Sequence, residues 1–370
     1  MTEPDGTPRD LVPVFEGFRK IGAVQTSPLY ERLNAAFIDE PGLAAPLLAA
    51  PPTERMPLLM FAAVHYLLRN ASTDEDAALA AYYPSLGGTR SPDADLVGTF
   101  RDFVTRRDGE LRALTATRVT QTNEARRAAM IRPALAAAQR SAGDRDIALV
   151  EVGCSSGLML LPDRYGYRYE QPDGSVLAFG DPVAPELLLD AEVRGGTAVP
   201  EWLATPLRIA SRVGIDRNPI SADDADQTDW LRACIWPEHL DRLARLEATL
   251  AQARDARLDL RRGDLFDLLP TAVAEAPQDA VVVVLSSHVM PYLAKEDRLA
   301  FAARVTELSG TRRLMLVLNE DHRLGRAFGV QAPGEKGYVA ASFVDFTGSE
   351  GPTGSAFAKV DPHGGWLEWF

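Results

Sequence analysis

The residues of this chain that could do chemistry gather at the ends of short apolar runs. Ile147-Ala-Leu-Val150 runs into Glu151-Val-Gly-Cys-Ser-Ser-Gly157, an acid followed by a loop that begins and ends in glycine. The apolar run is too short for a helix and reads as a buried strand. Glycines at a strand's carboxyl end let the backbone approach a ligand where a side chain would block it. In open α/β sheets the crevice outside those strand ends is where ligands bind. The middle of the chain is therefore expected to hold a small molecule.

Three chemistries compete for this loop. A dinucleotide fingerprint GxGxxG would need glycine at 155 and 158, where Ser155 and Leu158 stand. A nucleophile elbow GxSxG is matched in letters by Gly153-Cys154-Ser155-Ser156-Gly157, which would make Ser155 a nucleophile. The third is the acid-x-Gly-x-Gly-x-Gly loop of S-adenosylmethionine-dependent methyltransferases. Glu151, Gly153 and Gly157 fit it, and Ser155 takes the place of the middle glycine. That exchange is tolerable if the Ser155 backbone stays extended. A plain strand-to-helix turn is the bland alternative.

Four further groups add to the picture. In Arg212-Val-Gly-Ile-Asp216-Arg-Asn-Pro219, Asp216 ends a second strand and could accept both hydroxyls of a ribose. It could equally cap the turn that follows. It lies 63 residues after Gly153, against about 20 in dinucleotide folds, and an insertion explains the excess. In Arg262-Gly-Asp264-Leu265-Phe266, Asp264 could accept an adenine amine while Leu265 packs on the ring, or Asp264 could cap a helix. Val281-Val-Val-Val-Leu-Ser-Ser-His288 ends in a histidine, whose ordinary pKa of about 6.5 suits a general base. Last, Thr120-Gln121-Thr122-Asn123-Glu124-Ala125-Arg126 opens a helix, and Gln121, Asn123, Glu124 and Arg126 could line the roof of the cleft. Tyr83 and Tyr292 are expected to add substrate contacts.

Elements must position these residues. Residues 1–14 read as a flexible tail, and 15–144 as a helical subdomain around Pro57-Leu-Leu-Met-Phe-Ala-Ala-Val-His65-Tyr-Leu-Leu68, which is too apolar for a surface helix. His65 is expected to be a hydrogen-bonded core residue. Helical periodicity also marks Asp95–Ala113 and Thr122–Arg140. From 145 to 370 strand-like runs at 146–152, 208–215, 257–262, 280–286 and 312–319 alternate with helical stretches such as Trp230–Ala253 and Ala294–Leu308. This alternation implies an α/β fold with a doubly wound, mostly parallel sheet. Pro172-Asp-Gly174 marks an inserted β-hairpin within about 164–207, and Tyr338–Phe370 reads as two strands.

Composition narrows the partners. Across 370 residues the formal net charge is −13, which argues against nucleic acid or an anionic membrane surface as partner. Cys154 and Cys234 form no CxxC pair and the five histidines no HxxxH or HxH cluster, so no metal site is expected. Met1–Asp5 lacks the start of a secretory leader, and no apolar run reaches the roughly 18 residues of a membrane span. A cytoplasmic protein with a small-molecule substrate is the expectation; the oligomeric state is not legible.

The order of motifs from 147 to about 320 resembles the class I S-adenosylmethionine-dependent methyltransferase core. More narrowly, nearly the whole chain resembles the domain of unknown function 2332 family, common in actinobacteria. The residues that carry this are Ser27-Pro-Leu-Tyr30, Phe61-Ala-Ala-Val-His-Tyr66, Tyr82-Tyr-Pro-Ser-Leu86, Thr120-Gln-Thr-Asn-Glu124, Leu149-Val-Glu-Val-Gly153, Trp230-Leu-Arg-Ala-Cys-Ile-Trp236 and Asp361-Pro-His-Gly-Gly-Trp-Leu-Glu-Trp369. That family has no assigned reaction, so the resemblance implies a fold and the cofactor S-adenosylmethionine, not a substrate. The leading expectation is methyl transfer to a small molecule. On that reading Glu151, Gly153, Cys154, Ser155, Gly157, Asp216, Asp264 and Leu265 hold the cofactor, and His288 accepts a proton. The alternatives are a binding protein of the same fold that has lost the chemistry, and a serine hydrolase built on Ser155.

Overall fold

A computed structural model describes residues 6–20, 26–121, 123–334, 336–348 and 351–370. The chain forms two compact units. One comprises residues up to 122 together with 224–244; the other comprises 123–223 and 245–370. This corrects the expected division at 144/145. The helix Arg127–Ala142 belongs to the second unit because it packs on that unit's sheet. Residues 224–244 join the first unit because Trp230 and Trp236 are buried in its core.

The first unit is helical. Its main helices are Val12–Arg19, Pro28–Asp39, Pro57–Asn70, Leu96–Arg106, Asp108–Thr117 and Ala225–Ala233. The helix Pro57–Asn70 is buried almost all round, which its sequence requires. Phe61 stacks between Tyr30, at 4.3 Å, and Phe37, at 5.3 Å between ring centroids. His65 is the expected core histidine: Nδ1 lies 3.1 Å from the Ala233 carbonyl and Nε2 2.7 Å from Ser85 Oγ. Burial pushes its pKa down to about 3. Three boundaries differ from expectation. Residues 8–14 are helical and Leu11 is buried, while residues 1–5 lie outside the described ones. The stretch 95–113 divides at Arg107, whose side chain turns inward to the carboxylate of Asp76. The stretch 230–253 divides into Ala225–Ala233 and Leu240–Ala256, with Pro237 between them.

The second unit is built on one eleven-stranded sheet. In chain order its strands are β1 (Ile147–Val152), β2 (Gly166–Glu170), β3 (Val176–Phe179), β4 (Leu188–Arg194), β5 (Ile209–Asp216), β6 (Asp259–Arg262), β7 (Val281–Ser287), β8 (Leu314–Asp321), β9 (Val339–Asp345), β10 (Thr353–Val360) and β11 (Trp366–Trp369). Their order across the sheet is β3-β2-β4-β11-β10-β9-β8-β7-β1-β5-β6. Strands β8-β7-β1-β5-β6 are all parallel. They are the doubly wound core that the alternating pattern implies. From β1 the chain winds outward through β5 and β6, then returns to the other side as β7 and β8. The switch point therefore lies at β1, where ligand crevices open. The helices Leu265–Glu275 and Lys295–Ser309 cover one face, burying Val150, Val152, Val282, Val284, Leu316 and Leu318.

The inserted segment is more than a hairpin. β2 and β3 pair antiparallel as expected, but β4 pairs parallel to β2 and to β11, so the insertion extends the main sheet. The carboxyl-terminal stretch forms three strands rather than two, because the Asp361–Gly365 turn sends the chain back as β11. No helix among the described residues is long and apolar enough to cross a membrane.

Candidate functional site

The site is built where β1, β5, β7 and β8 end. The β1 tip carries Glu151, whose side chain is buried, with Oε2 lacking a hydrogen-bond partner among the described residues. Burial, reinforced by the charge of Asp216, pushes its carboxyl well above the usual carboxylate range. The loop then turns sharply. Gly153 has φ +69°, Ser155 φ +51° and Gly157 φ +72°. Ser155 is therefore left-handed, not extended as the sequence reading required. A non-glycine residue pays about 1–2 kcal/mol for that conformation. The structure holds it by naming partners for both ends of the residue: the Ser155 N–H donates to Asp216 Oδ2 at 2.8 Å, and its Oγ accepts from Asn123 Nδ2 at 2.9 Å.

Asp216 ends β5 and stitches the two strand tips together. Besides the Ser155 bond, its Oδ1 accepts from the Asn218 N–H at 2.7 Å. The side chain stays partly exposed. Each carboxylate oxygen can accept more than one hydrogen bond, so both keep capacity for a ligand. Gly214 in β5 is small for a visible reason: a Cβ there would stand 2.6 Å from Cys154 Sγ. The Cys154 side chain is thus tucked under the loop, and burial pushes its thiol pKa well up, which suits packing rather than nucleophilic work.

Asp264 takes the helix-cap alternative. It accepts from the Phe266 N–H at 2.9 Å and from Arg217 at 2.8 Å, and the Arg217 bond is the chief reason its carboxyl lies below the usual range. The Leu265 side chain packs into the apolar core beside β1 and β5 rather than lying open to a ring.

The remaining expected residues divide. Asn123 is drawn into the loop: besides Ser155 it accepts, through Oδ1, from Ser156 Oγ at 2.8 Å. Glu124 is buried and accepts from the Arg126 N–H at 3.0 Å and from Arg245 at 3.2 Å. Arg126 reaches to the Asp190 carbonyl in β4 at 2.8 Å. Thr122 lies outside the described residues. Gln121 and Tyr83 belong to the first unit, where Tyr83 is fully buried against His65. Tyr292 is 87% exposed, projecting from the turn after β7. Among the described residues no three His, Cys, Asp or Glu side chains gather as a metal site.

His288 follows β7 with a left-handed φ of +58° and a mostly enclosed ring whose Nε2 has no hydrogen-bond partner among the described residues. Burial first, then the charge of Arg127, pushes its pKa down to about 3. The ordinary value assumed from the sequence does not hold. A neutral imidazole of such low basicity is a weak proton acceptor.

The sequence reading missed Glu320 and Val289. Glu320 sits in β8, buried, and its Oε1 accepts from Ser286 Oγ at 2.8 Å and from the Val289 N–H at 2.7 Å. Burial raises its pKa to about 7, against the pull of those bonds and of Arg127. The signal was present: an apolar strand, Leu314–Leu318, that ends in Asn319-Glu320-Asp321. Val289 lies directly against the glycine loop. A Cβ on Gly153 would come within 2.4 Å of Val289 Cγ2. Gly153→Ala is accordingly expected to destabilise the protein by about 2–4 kcal/mol, adding left-handed strain to overpacking. Denaturant unfolding checks this, and an unchanged midpoint would contradict the packing described.

The fold and strand-tip loop define an open α/β domain with a doubly wound parallel core. The chain belongs to the family described as "Uncharacterized protein conserved in bacteria (DUF2332)", whose model matches residues 14–369. No curated protein sequence matches it. Among solved structures it is similar to SMU.472, provisionally named a methyltransferase and complexed with SAH, at 14% identity and a TM-score of 0.25. That similarity covers 64% of this chain and 55% of the other, so this chain spans about half the length of that protein.

Proposed function

We propose that this protein binds S-adenosylmethionine at the tips of β1 and β5 and transfers its methyl group to a small molecule. One observation carries the reading: the partly exposed Asp216 carboxylate accepts from Ser155 of the left-handed Gly153–Gly157 loop at 2.8 Å, so one acid and one glycine loop meet at the tips of β1 and β5. The residues fit the group. Asp216 keeps acceptor capacity for the two ribose hydroxyls. The left-handed Gly153 and Gly157 turn the loop so that Ser155 meets Asp216. The unpartnered Glu151 Oε2 beneath the loop suits a cationic amine. When bound, that compound supplies an electrophilic methyl on sulfur. The protein's part is to hold the acceptor in line and keep water out, and proximity of this kind is worth about 7–11 kcal/mol of barrier at most. Incubation with methyl-labelled S-adenosylmethionine and a bacterial small-molecule extract tests the reading. Label should pass to an extract component, and less of it with Asp216→Ala; retention of all label in the donor counts against transfer.

A second reading, binding without transfer, is favoured by two observations. His288 is a poor base, and Asn123 occupies the hydroxyls of both Ser155 and Ser156. A hydrolase is less well supported. The left-handed Ser155 suits a nucleophile elbow, yet its Oγ accepts from a carboxamide, which cannot take its proton.

A further inference from the structure

We propose that Val289 is a stop over the Gly153 loop, held there by Glu320 as a positioning residue, and that together they set how closely a ligand approaches the loop. This rests on the proposed adenosyl site and adds what controls it. The geometry comes from three strand tips. β1 ends at Val152, paired with Ser286 of β7, and Ser287 pairs with Asn319 of β8, so Glu320 follows directly beside the chain as it leaves β7. There the chain turns through left-handed His288, whose N–H donates to the Asn319 carbonyl at 3.2 Å. Glu320 Oε1 gathers the turn: Ser286 Oγ at 2.8 Å, the Val289 N–H at 2.7 Å and the Met290 N–H at 3.4 Å. The Val289 side chain so placed leaves no room for even one methyl group on Gly153. A ligand that uses the glycine's open face therefore competes with Val289.

The other oxygen, Glu320 Oε2, is buried without a hydrogen-bond partner among the described residues. The charged group acting on Glu320 is Arg127, at the start of the helix Arg127–Ala142; the same guanidinium acts on His288, as does His363. Because the carboxyl titrates at about 7, its grip changes within the physiological range. Above that value the carboxylate holds both N–H groups with charge-assisted bonds, about twice as strong as neutral ones. Below it the acid is neutral and the turn loosens. Ligand affinity should therefore rise as the pH falls through neutrality.

The test uses S-adenosylhomocysteine as probe and calorimetry at about pH 6 and pH 8 on the full chain, with wild type, Val289→Ala and Glu320→Gln. Amide exchange of residues 289 and 290 is measured on the same proteins without probe. Val289→Ala is expected to bind about ten-fold more tightly at both pH values, the size of one lost apolar competitor, ~1.4 kcal/mol. Glu320→Gln should bind with equal affinity at both, while wild type gains several-fold at the lower pH. Exchange protection at 289 and 290 should drop in Glu320→Gln, which separates loss of the hold from loss of binding. Equal affinity of Val289→Ala and wild type overturns the proposal, as does unchanged protection in Glu320→Gln. If no variant binds the probe while protection still falls, the adenosyl reading itself fails, and the stop with it.

Discussion

Replacing Asp216 by alanine is expected to weaken S-adenosylhomocysteine binding by about 100-fold or more, because hydrogen bonds to a charged group are worth about 1.5–3 kcal/mol each and a ribose offers two. The substitution acts twice. It removes the acceptors for the hydroxyls, and it releases the Ser155 and Asn218 N–H groups that Asp216 now holds at 2.8 Å and 2.7 Å. Ser155 is left-handed, so its strain loses one of its anchors. Asp216→Asn separates the two parts. The amide keeps an acceptor for one N–H but loses the charge, so its affinity should fall between wild type and the alanine variant. Calorimetric titration of the three proteins checks the order. Equal affinities would remove Asp216 from the site.

The second large effect concerns the helical unit. Asp76→Ala is expected to destabilise it by about 1.5–3 kcal/mol, the worth of a hydrogen bond to a charged group. The Asp76 side chain is fully buried and accepts from Arg106 at 2.9 Å, from Arg107 at 2.7 Å and from the Thr73 N–H at 3.0 Å. Arg107 is itself nearly buried and pairs also with Glu110. Without Asp76, Arg107 keeps one acidic partner and Arg106 keeps the exposed Glu75. The pH dependence has a defined sign. Burial raises the Asp76 pKa, but the bonds from Thr73 and Arg106 and the charge of Arg107 outweigh it and hold the carboxyl below 3.8. A group depressed on folding stabilises fully above its unfolded pKa, about 3.9, and loses that contribution as pH falls through the lower folded value. The difference between wild type and Asp76→Ala should be complete at neutral pH and shrink only in strong acid. Urea unfolding at several pH values measures it. A difference that vanishes already at about pH 6 would contradict the assignment.

Much of the sheet was legible because parallel strands buried on both faces read as short apolar runs. Ile147–Val152 and Val281–Ser287 fall within a residue or two of the expected runs. The placement of 224–244 was not legible, since it depends on Trp230 and Trp236 meeting a core more than a hundred residues upstream. Ser155 misled for a local reason: serine rarely adopts positive φ, and bonds from residues distant in sequence, Asp216, Asn123 and Ile220 among them, hold it there. Asp264 had two readings, and the cap took it because a helix starts there; Leu265, read as a ring contact, went to the core. Glu320 went unread because a charged residue after an apolar strand looks like an exposed end. Its burial comes from the turn after β7 folding over it.

The central claim, that the tips of β1 and β5 clasp an adenosyl sulfonium compound, is tested most directly by calorimetry of the wild-type protein with S-adenosylhomocysteine. The account predicts saturable binding at one site per chain, displaced by S-adenosylmethionine and not by NAD. Heat from NAD instead, or none from S-adenosylhomocysteine at millimolar concentration, would contradict it.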